Sequence, residues 1–229
     1  MTAARLGRPR LHLRATTSTN DRARTLAASG APHGTLVTAG EQTAGRGRQG
    51  RTWSAPPGRA LLLSLVLRDP PALLPLAAAL AVAEVAGEEA RIKWPNDVLL
   101  DGRKIAGILA EGRPQDGWAV LGVGLNVALR VEDLPPELHD TAGTLGLEPA
   151  DLDPTLERLL GALERTLAMS DVRLLEAYRA RDVLRGQQVS WSGGRGRAAG
   201  IDGEGRLVVE LSDGGRTQLS AGEVHLDRG

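Results

Sequence analysis

Apolar positions along the chain change their period several times, and the changes mark out the elements. Leu11 and Leu13 flank His12 in a weak alternation, so residues 1–14 read either as a tail or as a first strand. Thr16-Thr17-Ser18-Thr19-Asn20-Asp21 brings hydroxyl and amide groups suited to capping, and opens a helix to about Ser29. Residues 35–40 read as a strand. Residues 60–67 are almost unbroken apolar, a buried strand whose pattern also fits a helix. Beyond Pro70 and Pro71 an Ala/Leu-rich helix, about 73–86, is expected to cover a sheet. Residues 90–100 give two short strands interrupted by Lys93-Trp94-Pro95-Asn96-Asp97, and Asp101-Gly102 is a tight hairpin turn. The chain returns through 103–111, turns over 112–117, and runs as a strand from Trp118 into Gly122-Val123-Gly124-Leu125-Asn126-Val127. Residues 128–141, acidic, broken by Pro135 and Pro136 and with few apolar anchors, are expected to form a mobile surface loop, either plain or serving as a lid. Asp153 is expected to cap a helix with Pro154 at its first position and an end near Met169. A further helix follows at about 172–181. From Gln187 the pattern becomes short strands between glycine turns, which predicts a small antiparallel barrel or sandwich and a boundary near Arg185-Gly186.

Composition narrows the class. A chain of 229 residues has room for one main domain and a small one. Its formal net charge is zero, so no chain-wide nucleic-acid footprint exists and any arginine cluster is a local feature. The absence of cysteine excludes disulfides, thiolate metal sites and thiol nucleophiles together. No apolar run reaches the roughly 18 residues of a membrane span, and residues 1–14 lack the apolar segment of a secretory signal. A cytoplasmic protein without membrane contact is the expectation. His12, His33, His139 and His225 have no metal-ligand spacing, and no Gly-x-Ser-x-Gly elbow is present; hydrolysis is poorly supported.

The chemistry concentrates in Glu41-Gln42-Thr43-Ala44-Gly45-Arg46-Gly47-Arg48-Gln49-Gly50-Arg51-Thr52-Trp53. Glycine lets backbone approach a ligand closely and turn its N–H groups inward as an anion-binding nest, and arginine adds a planar cationic fork for carboxylate and phosphate. A loop closing over a small anion, a solvated Arg/Gly loop and an RNA-touching stretch all fit this composition. Gly45-x-Gly47-x-x-Gly50 imitates a dinucleotide-binding fingerprint, but Pro56 and Pro57 follow and forbid the helix which that motif requires.

With Ser18-Thr19-Asn20, the Arg/Gly loop, Lys93-Trp94-Pro95-Asn96-Asp97, Arg103-Lys104-Ile105-Ala106-Gly107-Ile108-Leu109 and Gly122-Val123-Gly124-Leu125-Asn126 in this order, the chain resembles a biotin protein ligase over about residues 15–229. The resemblance implies an α+β fold: a catalytic domain (1–185) of mixed sheet with flanking helices, like class II aminoacyl-tRNA synthetases, and an SH3-like C-terminal β-barrel (186–229). It implies ATP and biotin as substrates, Mg2+ with the ATP, formation of biotinyl-5′-adenylate, and transfer of biotin to a lysine of a biotin carboxyl carrier protein. Such a site brings two anions together and needs fixed cations and N–H donors.

By the same resemblance, Ser18, Thr19, Asn20 and Gln42 face the biotin ureido ring, and Arg46, Gly47 and Arg48 close over biotin. Trp53, Gly107 and Gly124 line the biotin pocket, Trp53 alternatively serving as core. Lys104 and Arg48 are the implied catalytic pair, with Lys104 on the biotin carboxylate and α-phosphate. Arg48, Arg51, Lys93, Asn96, Asp97, Lys104 and Asn126 form the implied ATP side; Asp97 is either a magnesium contact or the cap of its own turn. No resident metal site is expected. The residues before Ser18 are too few for the winged helix-turn-helix of some relatives, so no specific DNA binding is expected, and the protein is either a monomer or a homodimer. None of the four tryptophans lies in the loop after Asn126, where some relatives place an aromatic against adenine, so the adenine partner is unassigned. Two rivals stand beside this reading: a lipoate ligase using the same adenylate chemistry, and a salt-sensitive RNA-binding module using Arg46, Arg48 and Arg51. An aromatic content of 2% leaves few platforms for base stacking and counts against the second.

Overall fold

A computed structural model describes residues 5–113, 116–220 and 222–226. The expected tail at 1–4, part of the 112–117 turn, and the last residues of the small domain lie outside the described residues. In chain order the described elements are β1 (Arg10–Leu13), α1 (Thr19–Ala28), β2 (Leu36–Ala39), β3 (Ala60–Arg68), α2 (Leu74–Ala86), β4 (Arg91–Lys93), β5 (Asp97–Leu100), β6 (Arg103–Arg113) and β7 (Trp118–Asn126). They continue with α3 (Leu152–Leu167), α4 (Asp171–Arg179), β8 (Gln188–Trp191), β9 (Gly194–Ile201), β10 (Leu207–Glu210), β11 (Arg216–Leu219) and β12 (His225–Leu226).

Seven of these strands form one mixed sheet in the order β1-β2-β3-β7-β6-β5-β4, with β1 and β2 parallel and the other pairs antiparallel. The ambiguous run at 60–67 is the strand β3, buried on both faces, as central strands covered on both sides must be. Its Leu61, Leu63, Leu65 and Leu67 join the main core with α2 and α3. Val66 faces the other way, into a smaller cluster with Ala23 and Ala27 of α1 and Trp118 and Val120 of β7. The helix α2 is apolar nearly all round because it is buried nearly all round. Asp101 and Gly102 both take positive φ (51° and 73°), the conformation of the two-residue hairpin turn between β5 and β6.

The second sheet has the order β11-β10-β9-β8-β12. This is the small antiparallel unit expected of an SH3-like tail. Its Val189, Ala198, Leu207 and Val209 belong to the same apolar core as the first sheet, so the core runs on between them. Among the described residues no helix is long and apolar enough to cross a membrane.

Two expectations need correction. Asp153 and Pro154 do not start α3; Asp151 is its N-cap, preceded by a single 3-10 turn Pro149–Asp151 in which Glu148 and Asp151 cap each other reciprocally. Pro154 is tolerated there because first-turn N–H groups lack helical partners in any case. The stretch 128–141 is not short of anchors: Leu129, Leu134 and Ala142 bury together against Leu138. Its end is stitched to β6 by Lys104 N–H on the Thr141 carbonyl (2.7 Å) and Gly143 N–H on the Lys104 carbonyl (2.8 Å).

Candidate active site

Strand register lays out the floor of a cleft. A single row of paired residues crosses the sheet through Ala39, Leu62, Gly124, Gly107, Asp97 and Lys93. Paired residues share a face, so the row is apolar at one end, bare of side chains at the two glycines, and charged at the other end. The neighbouring row runs Ser64, Gly122, Leu109. The indole of Trp53 lies over Gly107 and Gly124, and the amide of Asn20 lies over Gly122. A Cβ on Gly107 would meet the Trp53 ring at 3.0 Å, and one on Gly122 or Gly124 would overlap its neighbour outright.

Lys104 reaches this face through a β-bulge. Leu99 pairs with Lys104 but Val98 pairs with Ala106, which leaves Ile105 as the extra residue. In a regular strand Lys104 would share the face of Ala106 and Ile108, the core face. The bulge re-aims it, and its ammonium meets Asp97 Oδ1 at 2.7 Å and stands 5.8 Å from the centre of the Trp53 ring.

The neutral wall comes from the start of α1. Ser18 is its N-cap, in extended conformation (φ −154°, ψ 134°), yet makes no side-chain capping bond. Gln42 does the capping: its Oε1 accepts from the Thr19 N–H (2.7 Å) and the Thr19 hydroxyl (3.0 Å). The Ser18 hydroxyl, buried at the cleft wall, is therefore not spent on the helix.

The Arg/Gly loop is a closed hairpin. Gly47 N–H donates to the Arg51 carbonyl (2.7 Å) and Trp53 N–H to the Gly45 carbonyl (3.0 Å). Residues 48–50 make one 3-10 turn with Gln49 and Gly50 at positive φ, so no helix starts in the glycines. The expected inward row of free N–H groups is only partly present, because the hairpin itself uses two of them. The three arginines diverge. Arg46 donates to Asp21 Oδ1 (2.7 Å) and Glu111 Oε1 (2.9 Å). Arg48 donates to Asn96 Oδ1 (2.9 Å) and the Gly222 carbonyl (3.2 Å). Arg51 pairs with Glu223.

The turn between β4 and β5 supplies the charged end. Trp94 is buried and its indole N–H donates to the Gly205 carbonyl (2.9 Å), which ties the turn to the second sheet. Asn96 exchanges hydrogen bonds with the Ile108 main chain (3.0 and 2.9 Å). Asp97 pairs with Lys104 (2.7 Å) at this end of the cleft. Burial lowers the pKa of the Lys93 ammonium and of the Arg48 guanidinium, with Asp97 and Glu223 acting in opposition. Burial acts to raise the Glu223 carboxyl, but the hydrogen bond and charge of Arg51 outweigh it and hold that group below the usual range. Lys93 and Lys104 are the only lysines in the sequence.

These groups line two adjoining lobes of one cleft. Ser18, Thr19, Asn20, Gln42, Arg46, Gly47, Arg48, Asn96, Gly107 and Gly124 line the first, which holds about 930 Å³ counted out to its open mouth. Asn126 lines only the second; its amide donates to the Gly143 carbonyl (2.8 Å), and its buried Oδ1 has no partner. Arg51, Trp53, Lys93, Asp97 and Lys104 border both. The sequence left several site residues unmarked. Ser64, whose hydroxyl meets Thr19 (2.8 Å) and Asn20 (2.6 Å), was visible as a lone hydroxyl in an apolar strand. Glu111 was visible as a charge in phase with Gly107. Gly222, Glu223 and the apolar wall of Leu134 and Leu138 carried no local signal.

Residues 13–127 match the model of the biotin/lipoate A/B protein ligase family. The chain belongs to this family. Residues 184–227 match the biotin protein ligase C-terminal domain. The ligase chain is 40% identical to the biotin–[acetyl-CoA-carboxylase] ligase of Mycobacterium tuberculosis, over 91% of this chain and 85% of that protein. It is 36% identical to the bifunctional ligase/repressor BirA of Bacillus subtilis, over 89% of this chain and 70% of that protein. The biotin protein ligase of Aquifex aeolicus, solved in complex with biotin and ATP, superposes with a TM-score of 0.82 at 27% identity, covering 97% of this chain and 100% of that one.

Proposed function

We propose that the cleft joins biotin to ATP, giving biotinyl-5′-adenylate and pyrophosphate, and then passes the biotinyl group to the amine of a carrier-domain lysine with release of AMP. The observation that carries this reading is the row across the sheet. It leads from an apolar end beside the hydrogen-bonding wall of α1 to a charged end at Asp97 and Lys93, and Lys104 stands where the two lobes meet. A ureido ring needs neutral donors and acceptors, which Ser18, Thr19, Asn20 and Gln42 supply. Two anions brought together at the junction need preorganised cations, which Lys104, Arg48, Lys93 and Arg51 supply. Asn126, with an unpartnered buried acceptor, is assigned to the nucleotide lobe, and Leu134 and Leu138 to its apolar wall. Among the described residues no cluster of three acidic or histidine side chains is poised for a metal. Magnesium would be held mainly by phosphate oxygens, as is usual for this ion, with Asp97 and Glu223 the bordering carboxylates; it would neutralise phosphate charge.

The carrier partner is read as a biotin carboxyl carrier domain, the catalytic unit as residues 1–185, the tail unit as 186–229, and the place of reaction as the cytoplasm. ATP–pyrophosphate exchange tests the reading directly. Exchange is expected with biotin and not with lipoate; exchange with lipoate alone would move the substrate, and none with either would defeat the assignment.

The lowered pKa of Lys93 sets a pH limit. Its charge is lost as pH rises, earlier than that of an ordinary lysine, so kcat/KM for ATP, which follows the free enzyme, is expected to fall on the alkaline side. Lys93→Arg moves that limb to higher pH; an unmoved limb assigns it to another group.

A further inference from the structure

The polar groups of the neutral lobe form one continuous chain of polar contacts that ends on a carboxylate outside the proposed substrate contacts. Glu111 Oε2 accepts from the Asn20 amide (2.8 Å), and its Oε1 accepts from Arg46 (2.9 Å). The Asn20 Oδ1 meets the Ser64 hydroxyl (2.6 Å), which meets the Thr19 hydroxyl (2.8 Å), which meets Gln42 Oε1 (3.0 Å). Gln42 and Arg46 stand four residues apart on the stretch that leads into and begins the Arg/Gly hairpin. The chain of contacts therefore closes into a ring through the backbone of the loop.

We propose that Glu111 is a positioning residue that fixes both the orientation of the Asn20 amide in the biotin lobe and the closure of the hairpin over it. The proposal rests on the assignment of that lobe to biotin. A carboxylate only accepts hydrogen bonds. Facing Glu111, Asn20 must present its NH2, which turns its Oδ1 to Ser64 and makes Ser64 the donor there. Beyond Ser64 the polarity is set locally: Thr19 has one hydroxyl proton for Ser64 and Gln42 Oε1 together, and Gln42 is oriented by the Thr19 N–H (2.7 Å). On the other side the same carboxylate holds Arg46, with Asp21 as second acceptor (2.7 Å). Arg46 thus bridges α1 and β6 and draws the first arm of the hairpin down. Asn20 is almost wholly buried, and its amide lies directly against Gly122, where any Cβ would overlap it.

Glu111→Gln keeps the shape but offers one acceptor where two are needed. Whichever donor it satisfies, its own NH2 faces the other. In pyrophosphate exchange the variant is expected to raise KM for biotin about tenfold, the loss of one hydrogen bond to a charged group, and to leave KM for ATP unchanged. Trypsin is expected to cut the variant faster at Arg46, Arg48 and Arg51. Arg46→Met is expected to raise the same KM, and the double variant to fall short of the product of the two effects, because both act on one ring. An unchanged KM for biotin, a parallel rise in both KM values, or fully multiplicative effects would each overturn the role of Glu111. Ser18→Ala separates this from the underlying assignment: if it too leaves KM for biotin unchanged, the lobe does not hold biotin, whereas a raised KM there with a silent Glu111→Gln defeats the positioning proposal alone.

Discussion

Lys104→Ala is expected to slow adenylate formation by on the order of 10²–10³-fold, the usual cost of removing one preorganised donor from a developing charge, while the protein folds and melts much as before. The side chain is half-buried and makes one ion pair, with Asp97. What its residue contributes to the fold is main chain, the two bonds to Thr141 and Gly143, and these survive truncation. The loss has two parts. The cation is gone from the junction of the lobes, and Asp97 is left without its nearest counter-charge where phosphate must come. Lys104→Ala combined with Asp97→Asn is therefore expected to recover some of the rate. Pyrophosphate exchange with biotin, beside a thermal melt, reads both quantities. Near-normal exchange in Lys104→Ala would remove this lysine from the chemistry.

The second large effect is expected from the smallest substitution available. In Gly122→Ala the new methyl overlaps the Asn20 amide, which is pinned by Ser64 and Glu111 and cannot retreat. Overpacking of this kind costs about 1–3 kcal/mol, and here it falls on a polar wall rather than on the apolar core beneath the sheet. Biotin affinity measured by titration calorimetry is expected to weaken roughly tenfold or more, with the melting temperature lowered by only a few degrees. Unchanged affinity would show that Asn20 takes no part in the lobe. Gly124→Ala acts on a different object: it displaces the Trp53 indole, and with it the second arm of the hairpin.

Much of this arrangement was legible in the chain because the relevant residues stand close together in it. Alternation in β7 separates Leu121, Val123 and Leu125 on the core side from Gly122 and Gly124 on the site face, and Asp101-Gly102 announces the hairpin that brings Lys104 beside Asp97. What was not legible depends on long-range geometry. The bulge at Ile105 decides which face Lys104 takes, and strand periodicity alone assigns it to the core. Ser18 reads as a helix cap, and only the arrival of the Gln42 side chain, 24 residues later in the sequence, frees its hydroxyl. The loop arginines look equivalent in sequence, but Arg46, Arg48 and Arg51 go to different acceptors supplied by α1, β6, the β4–β5 turn and the last strand region. The stretch 128–141 looks unanchored because its leucines are far apart, and they meet only when the loop folds back on β6.

The confinement of lysine to Lys93 and Lys104 has a consequence for the enzyme as a target of its own product. A mixed anhydride of an acid and AMP acylates free amines, and one that escapes the cleft would label any lysine it meets. The exterior of this chain offers arginine instead, and a guanidinium stays protonated and does not attack an acyl group. The protein is in this sense chemically mute toward the intermediate it makes. For the same reason an amine-directed label should report on the cleft almost alone: adduct formation at the two lysines, counted by peptide mass and lost when biotin and ATP are present, would serve as a direct gauge of site occupancy.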